Sequence, residues 1–179
     1  MRFLLSTLLL ALSLLVQAQP GSWRDQDGNF VQDSESMKSR SGFAASILVT
    51  TDADWKAKWE KPPESPPSFK RAEDIPYGKP VFILLFFANP KPDLDGTVKV
   101  ECDLQITSPI GSLSFDQKGM TCFVGHISGS LSNLYLAAPV LAFSGDPDDP
   151  PGTWSVQAKL RDKVRNVELP LKYSFNLRR

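Results

Sequence analysis

Residues Thr97 to Thr107, TVKVECDLQIT, alternate without a fault. Val98, Val100, Cys102, Leu104 and Ile106 fall on one parity, and Thr97, Lys99, Glu101, Asp103, Gln105 and Thr107 on the other. Such a period of two makes a β-strand with one dry face and one wet face. The chain after it reads as further strands built around that dry face. Cys102, one of only two cysteines, lies on it. Paired with Cys122 it closes a ring of about 20 residues, worth roughly 3 kcal/mol in loop-closure entropy. No Cys-x-x-Cys spacing lowers a thiol pKa, so the pair reads as a staple and not a redox centre.

Where such a bridge forms depends on the compartment, and the N-terminus addresses that. Arg2 is followed by an apolar run from Phe3 to Val16, broken only by Ser6, Thr7 and Ser13. Val16-Gln17-Ala18 supplies the small residues of a cleavage site, and the pattern predicts a secretory signal peptide over 1–18. No cysteine follows the run, which argues against a lipoprotein anchor, and no later apolar stretch is long enough for a spanning helix. The expectation is export to the periplasm or the medium, with no membrane insertion of the mature chain. About 160 residues then remain, enough for one domain with a core. The chain carries 20 basic and 20 acidic residues with no basic block, which gives no support for nucleic-acid binding. Fifteen prolines and 11 glycines, with few helical patterns, favour strands joined by turns.

Along the chain, 19–41 is polar and predicts a flexible, disordered arm carrying isolated Trp23 and Phe30. Phe43 to Thr50 predicts a strand. Ala53 to Glu60 predicts a short helix, capped by Thr51 or Asp52 and stopped by Pro62 and Pro63. Trp55 and Trp59 share a face of that helix at i,i+4. They either plug the end of the core or form an exposed aromatic platform of the kind that takes sugars or peptides. Residues 61–80 hold six prolines and predict an extended surface connection with little regular structure. Val81 to Ala88 is apolar on both parities and predicts a central strand covered on both faces, pairing with 97–107 across the turn 89–96. Leu113 to Phe115 and Met120 to Val124 predict two brief strands around a tight turn at 116–119. Leu134 to Phe143, interrupted by Pro139, predicts an edge or a bulge. Residues 144–152 form a long acidic loop. Trp154 to Arg161 and Val167 to Leu177 alternate on either side of a turn at 162–166, predicting a closing hairpin.

Seven or so short strands with one disulfide predict an all-β chain, a single β-sandwich of immunoglobulin/fibronectin-like type over 42–179 with one short helix. The stretch Asp149-Pro-Pro-Gly-Thr-Trp-Ser-Val-Gln-Ala-Lys-Leu-Arg-Asp162 resembles the Gly-x-aromatic-x-Val-x-Val-x-Val-x-Asp penultimate strand of bacterial immunoglobulin-like domains. The match covers 149–177 well and 81–124 loosely, and departs from antibody domains in its cysteine spacing and tryptophan-bearing helix. The segments DSESMKS, TTDADWKAKWEKPPE and FFANPKPD are also similar to a family of small uncharacterised exported bacterial proteins. Neither resemblance implies an activity.

Chemistry motifs are missing. The single histidine, His126, predicts a structural or solvent-facing side chain, since zinc needs three or four convergent ligands. No Gly-x-Ser-x-Gly elbow, Ser-x-x-Lys, His-Glu-x-x-His or phosphate loop is present. Asp93 and Asp95 in one loop and Asp146, Asp148 and Asp149 in another could meet as a calcium cage at one end of a sandwich. Their spacing fits no calcium loop and such residues are ordinary in turns, so no cofactor is expected. These features favour a non-catalytic envelope module, of inhibitor or immunity type or otherwise. Its partner would be a protein or a glycan, bound through Trp55, Trp59 and the acidic residues Asp146, Asp148 and Asp149. One alternative is a small glycosidase-like hydrolase using a carboxylate pair. Its acids would be drawn from Glu101, Asp103 and Glu168 or from the loops. The other is a purely structural envelope domain.

Overall fold

In chain order the elements are β1 (Met37–Arg40), β2 (Phe43–Thr50), α1 (Trp55–Glu60), β3 (Asp74–Pro76), β4 (Val81–Ala88), β5 (Val98–Thr107), β6 (Leu113–Gly125), β7 (Tyr135–Leu136), β8 (Leu141–Phe143), β9 (Gly152–Asp162) and β10 (Val167–Arg178). The structure is a computed structural model describing Trp23, 29–61 and 67–179. The expected signal peptide and the arm residues 19–22 and 24–28 lie outside the described residues.

Two sheets face each other. One runs β1-β2-β4, with β7 and β8 both along the far side of β4; the other runs β3-β10-β9-β5-β6. All pairings are antiparallel except β3 with β10. The alternation read from β5 holds: Val98, Val100, Cys102, Leu104 and Ile106 are all at most 3% exposed. They meet the inward parity of β2 and β4, including Ile47, Val49, Ile83 and Phe87, and the inward parity of β9 and β10 continues the layer. The all-β sandwich with one short helix is therefore the observed fold, and the closing hairpin pairs Val167 with Asp162 through Leu177 with Gly152.

Several local expectations are corrected. β4 does not pair with β5; it pairs with β2, β7 and β8 in the opposite sheet. The link 89–96 crosses between the layers instead of turning a hairpin. β4 is apolar on both parities because its inner side faces the core and its outer side lies under α1. The rings of Trp55 and Phe82 are 6.1 Å apart, and those of Trp59 and Phe86 5.2 Å apart. The two tryptophans thus cover a sheet face and do not plug the end of the core. Residues 113–125 form one strand, not two. The Asp-Gln-Lys-Gly stretch that reads as a turn is a bulge with Gly119 at φ 64°, whose N–H donates to Asp103 Oδ1 at 2.9 Å.

The end of the expected arm is strand β1, because Met37–Arg40 lies in register on the first half of β2. Within the proline-rich connection, Asp74–Pro76 adds a short parallel edge to β10. Helix α1 begins at Trp55 with no side-chain cap. Asp52 instead accepts from Lys58 Nζ at 2.7 Å and from the Lys70 N–H at 2.9 Å. Pro139 interrupts an edge as expected, separating β7 from β8.

Cys102 and Cys122 are bonded, joining β5 to β6 on the dry face. Cys102→Ser/Cys122→Ser is expected to lose about 3 kcal/mol, set by the ring the bridge closes in the unfolded chain. Urea denaturation of the oxidised protein and the double variant measures it, and a loss below about 1 kcal/mol would contradict that account.

Candidate functional site

The sequence offered three places for chemistry: the acidic loops, the wet face of β5 and the tryptophan helix. The structure separates them.

The acidic loops do not meet. β5 is antiparallel to β9, with Val100 beside Asp162 and Thr107 beside Ser155. Asp93 and Asp95 precede the start of β5, whereas Asp146, Asp148 and Asp149 precede the start of β9. The two groups are therefore at opposite ends of the sheet, about 25 Å apart at strand rise. The single calcium cage drawn from Asp93, Asp95, Asp146 and Asp148 is overturned by this register. In each loop one carboxylate, Asp93 or Asp149, is also committed to local donors. Asp93 Oδ1 accepts from the N–H groups of Asp95 and Thr97 at 3.0 and 2.9 Å, and its Oδ2 takes Lys99 Nζ at 2.9 Å. The Lys99 ammonium holds the Asp93 carboxyl below its usual range. Asp149 Oδ2 accepts the Asp146 N–H at 2.9 Å, and Asp149 O accepts from Tyr77 Oη–H at 2.7 Å. Among the described residues no group of three or more His, Cys, Asp or Glu side chains is placed to hold a metal ion. His126 is exposed, with Nε2 2.9 Å from the Asp95 carbonyl.

The wet face of the second sheet carries a ladder of ion pairs. Register places Asp103 beside Lys159, Glu101 beside Arg161, and Arg161 beside Glu168. Arg161 donates both Nη groups to Asp103, one at 2.7 Å to Oδ1 and one to Oδ2, and its Nε to Glu168 Oε1 at 2.9 Å. Lys159 Nζ lies 3.3 Å from Glu168, and Lys163 Nζ 2.9 Å from Glu101. The Arg161 fork is the main reason the Asp103 carboxyl falls to about 2, with the Gly119 N–H helping against partial burial. Glu168 is also held low, by Arg161 and then Lys159. Asp103 and Asp116 do line one shallow depression of about 190 Å³. A general acid must keep a proton near neutral pH, and Asp103 does not.

The depressed Asp103 carboxyl stabilises the fold above its unfolded pKa of about 4, and that contribution disappears as pH falls towards about 2. Its side chain is 21% exposed, so the contribution is screened to about 1–2 kcal/mol. Asp103→Asn is expected to lower stability by that amount at pH 7 and to flatten the acid limb of a melting-temperature profile. An unchanged limb would contradict it.

The third place lies on the outside of the first sheet. Met37 of β1, Ser46 and Leu48 of β2 and Phe86 of β4 present their outer parity there, and the helix ends over them at Trp59. They line a groove of about 260 Å³ together with Trp23, Ser36, Pro67, Phe69, Arg71 and Leu134. Phe69 lies 6.4 Å from Phe86, ring to ring. Trp23 is pinned there because its Nε1–H donates to the Lys38 carbonyl at 3.1 Å and its own carbonyl takes the Val31 N–H at 2.9 Å. Trp23 and Trp59 stay half-buried, and Leu134 is 40% exposed. Of the binding residues expected from sequence, Trp59 lines the groove, while Trp55, Asp146, Asp148 and Asp149 do not. Trp23, Phe69, Arg71 and Leu134 were not singled out as a site. A lone tryptophan in a polar arm was the one available signal.

No protein-family model matches the chain, and no curated protein matches it. Among solved structures, it is similar to a family 123 glycoside hydrolase from Clostridium perfringens, described for glycolipid glycan hydrolysis. The overlay spans 75% of this chain and 27% of that one, at 9% identity and a TM-score of 0.44, a likeness too loose to carry fold or activity across.

Proposed function

We propose that this chain is a non-catalytic binding module of the bacterial envelope, exported by its N-terminal segment, which holds its partner in the groove on the outer face of the first sheet. The observation that carries this reading is the groove itself. Trp23, Trp59, Phe69 and Phe86 line a concave surface that the sandwich core does not need. Aromatic side chains in an open concavity supply binding area at low entropic cost. The ion-paired state of Asp103 and Glu168 supports a structural role for the carboxylates on the other sheet. The Cys102–Cys122 bond and the apolar N-terminus support export.

The test is capture of crosslinked partners from envelope extract by the tagged protein and by Trp59→Ser. Trp59 is half-buried and outside the core, so the variant is expected to keep its circular dichroism and to lose the partner by at least about tenfold. A partner retained by Trp59→Ser but lost on Asp146→Asn/Asp148→Asn would move the site to the acidic loop. No reproducible partner for either protein would leave the purely structural domain.

A further inference from the structure

The charge at one end of the groove suggests what occupies it. Arg71 lines the apolar groove and also an adjoining cleft of about 450 Å³ that contains Lys70, Glu73, Asp74 and Lys79. Arg71 is exposed. The side chains of Arg40, Arg161, Arg165 and Arg178 each have a partner. Among the described residues Arg71 has none, and neither do the ammonium groups of Lys70 and Lys79. The opposing acids do not balance them. Asp74 already accepts from Asn176 Nδ2 at 3.0 Å and stands 4.0 Å from Arg178, leaving Glu73 as the uncommitted carboxylate. Among the described residues, an apolar trough thus opens past an unpaired guanidinium into a cleft where Lys70, Arg71 and Lys79 outnumber Glu73 and Asp74.

Resting on the binding-module reading, we propose that the groove takes an extended segment of a partner protein in which apolar residues are followed by acidic ones. The apolar side chains lie on Trp59 and Phe69, which rest on the buried Phe86, and the carboxylates meet Arg71, Lys70 and Lys79. A guanidinium that is unpaired among the described residues is suited to bidentate carboxylate capture. The aromatic and aliphatic floor, with only the Ser36 and Ser46 hydroxyls on it, favours apolar side chains over the many hydroxyls of a sugar.

The test uses the full exported chain with its disulfide intact and three probes: fluorescein-labelled Gly-Leu-Phe-Glu-Glu-Glu, its glutamine counterpart Gly-Leu-Phe-Gln-Gln-Gln, and chitohexaose. In anisotropy titrations at low salt the acidic peptide is expected to bind about tenfold tighter than the glutamine peptide. Arg71→Gln should erase that advantage, and Trp59→Ser should weaken both peptides. Equal binding of the two peptides, untouched by Arg71→Gln but lost on Trp59→Ser, overturns the acidic partner while leaving the groove as the site. Trp59-dependent binding of chitohexaose alone overturns it in favour of a glycan. No binding of any probe overturns the peptide and takes the groove with it.

Discussion

Trp154→Ala is expected to cost about 4 kcal/mol of folding stability, the largest effect of any single substitution considered for this chain. Trp154 is 1% exposed and is the largest fully buried side chain. It stands on β9 in register with Phe175 of β10 in the second sheet, while Phe143 belongs to β8 of the first. Its ring lies 4.9 Å from that of Phe143, which in turn lies 5.6 Å from Phe175. The three rings therefore tie the layers together, and two strands of one sheet and the edge of the other hold the walls of the vacated space. Such a cavity collapses little, so most of its cost is retained. The Trp154 Nε1–H also donates to the Pro150 carbonyl at 3.1 Å, fixing the chain as it leaves the acidic loop. Urea denaturation should show a lower midpoint at unchanged slope, and the melting temperature should fall by about 10 °C. Trp154→Phe should recover more than half of the loss. A cost below about 1.5 kcal/mol for Trp154→Ala would mean that the rings do not pack as described.

Asp162→Ala is expected to cost nearly as much, about 3–4 kcal/mol, for a different reason. Asp162 is 1% exposed. Its Oδ1 accepts the N–H groups of Val164 and Arg165 at 3.1 and 2.9 Å, and its Oδ2 accepts the Lys91 N–H at 2.8 Å and Arg165 Nε at 3.3 Å. Arg165 reaches on to the Ser41 carbonyl at 2.7 Å and the Asn89 carbonyl at 3.0 Å. One carboxylate thus shapes the turn between β9 and β10 and holds the guanidinium that clasps the β1–β2 turn and the link leaving β4. Removing it strands backbone donors and a cation in a partly dry site, whereas the burial it frees is small. Asp162→Asn keeps one acceptor and should cost about half as much. Asp162→Ala and Arg165→Ala should be strongly non-additive in a double-mutant cycle, and strict additivity would show that the clasp does not act as a unit.

The parts of the fold legible in the sequence share one property, a single dry face. β5, β9 and β10 alternate over ten or more residues each, so parity names the buried side chains and the hairpin register follows from the turn. Val81–Ala88 is legible as a doubly covered strand but not as a neighbour of any other. A strand apolar on both faces carries no parity with which to choose a partner, and that is why the expected pairing with 97–107 failed. The bulge at Gly119 was hidden because a polar, glycine-ended tetrapeptide has the composition of a turn. The acidic loops looked able to meet at one end of the sandwich until the β5–β9 register placed them at opposite ends. The groove was the least legible feature. Its floor draws on residues from Trp23 to Leu134, most of them unremarkable in their own segments, and only the outer parity of three strands brings them together. Of that set, Trp59 was visible beforehand because the i,i+4 tryptophan pair stands out on a six-residue helix.

The central claim is that the outer face of the first sheet is the binding surface. Site-specific photo-crosslinking in cells tests it most directly. Leu134→p-benzoylphenylalanine places the probe in the groove, at a position 40% exposed, and Val124→p-benzoylphenylalanine places it on β6 of the other sheet, at a position 61% exposed. A discrete adduct is expected from position 134, abolished by Trp59→Ser, and none from position 124. An adduct from position 124 that survives Trp59→Ser, with nothing captured at 134, would contradict it.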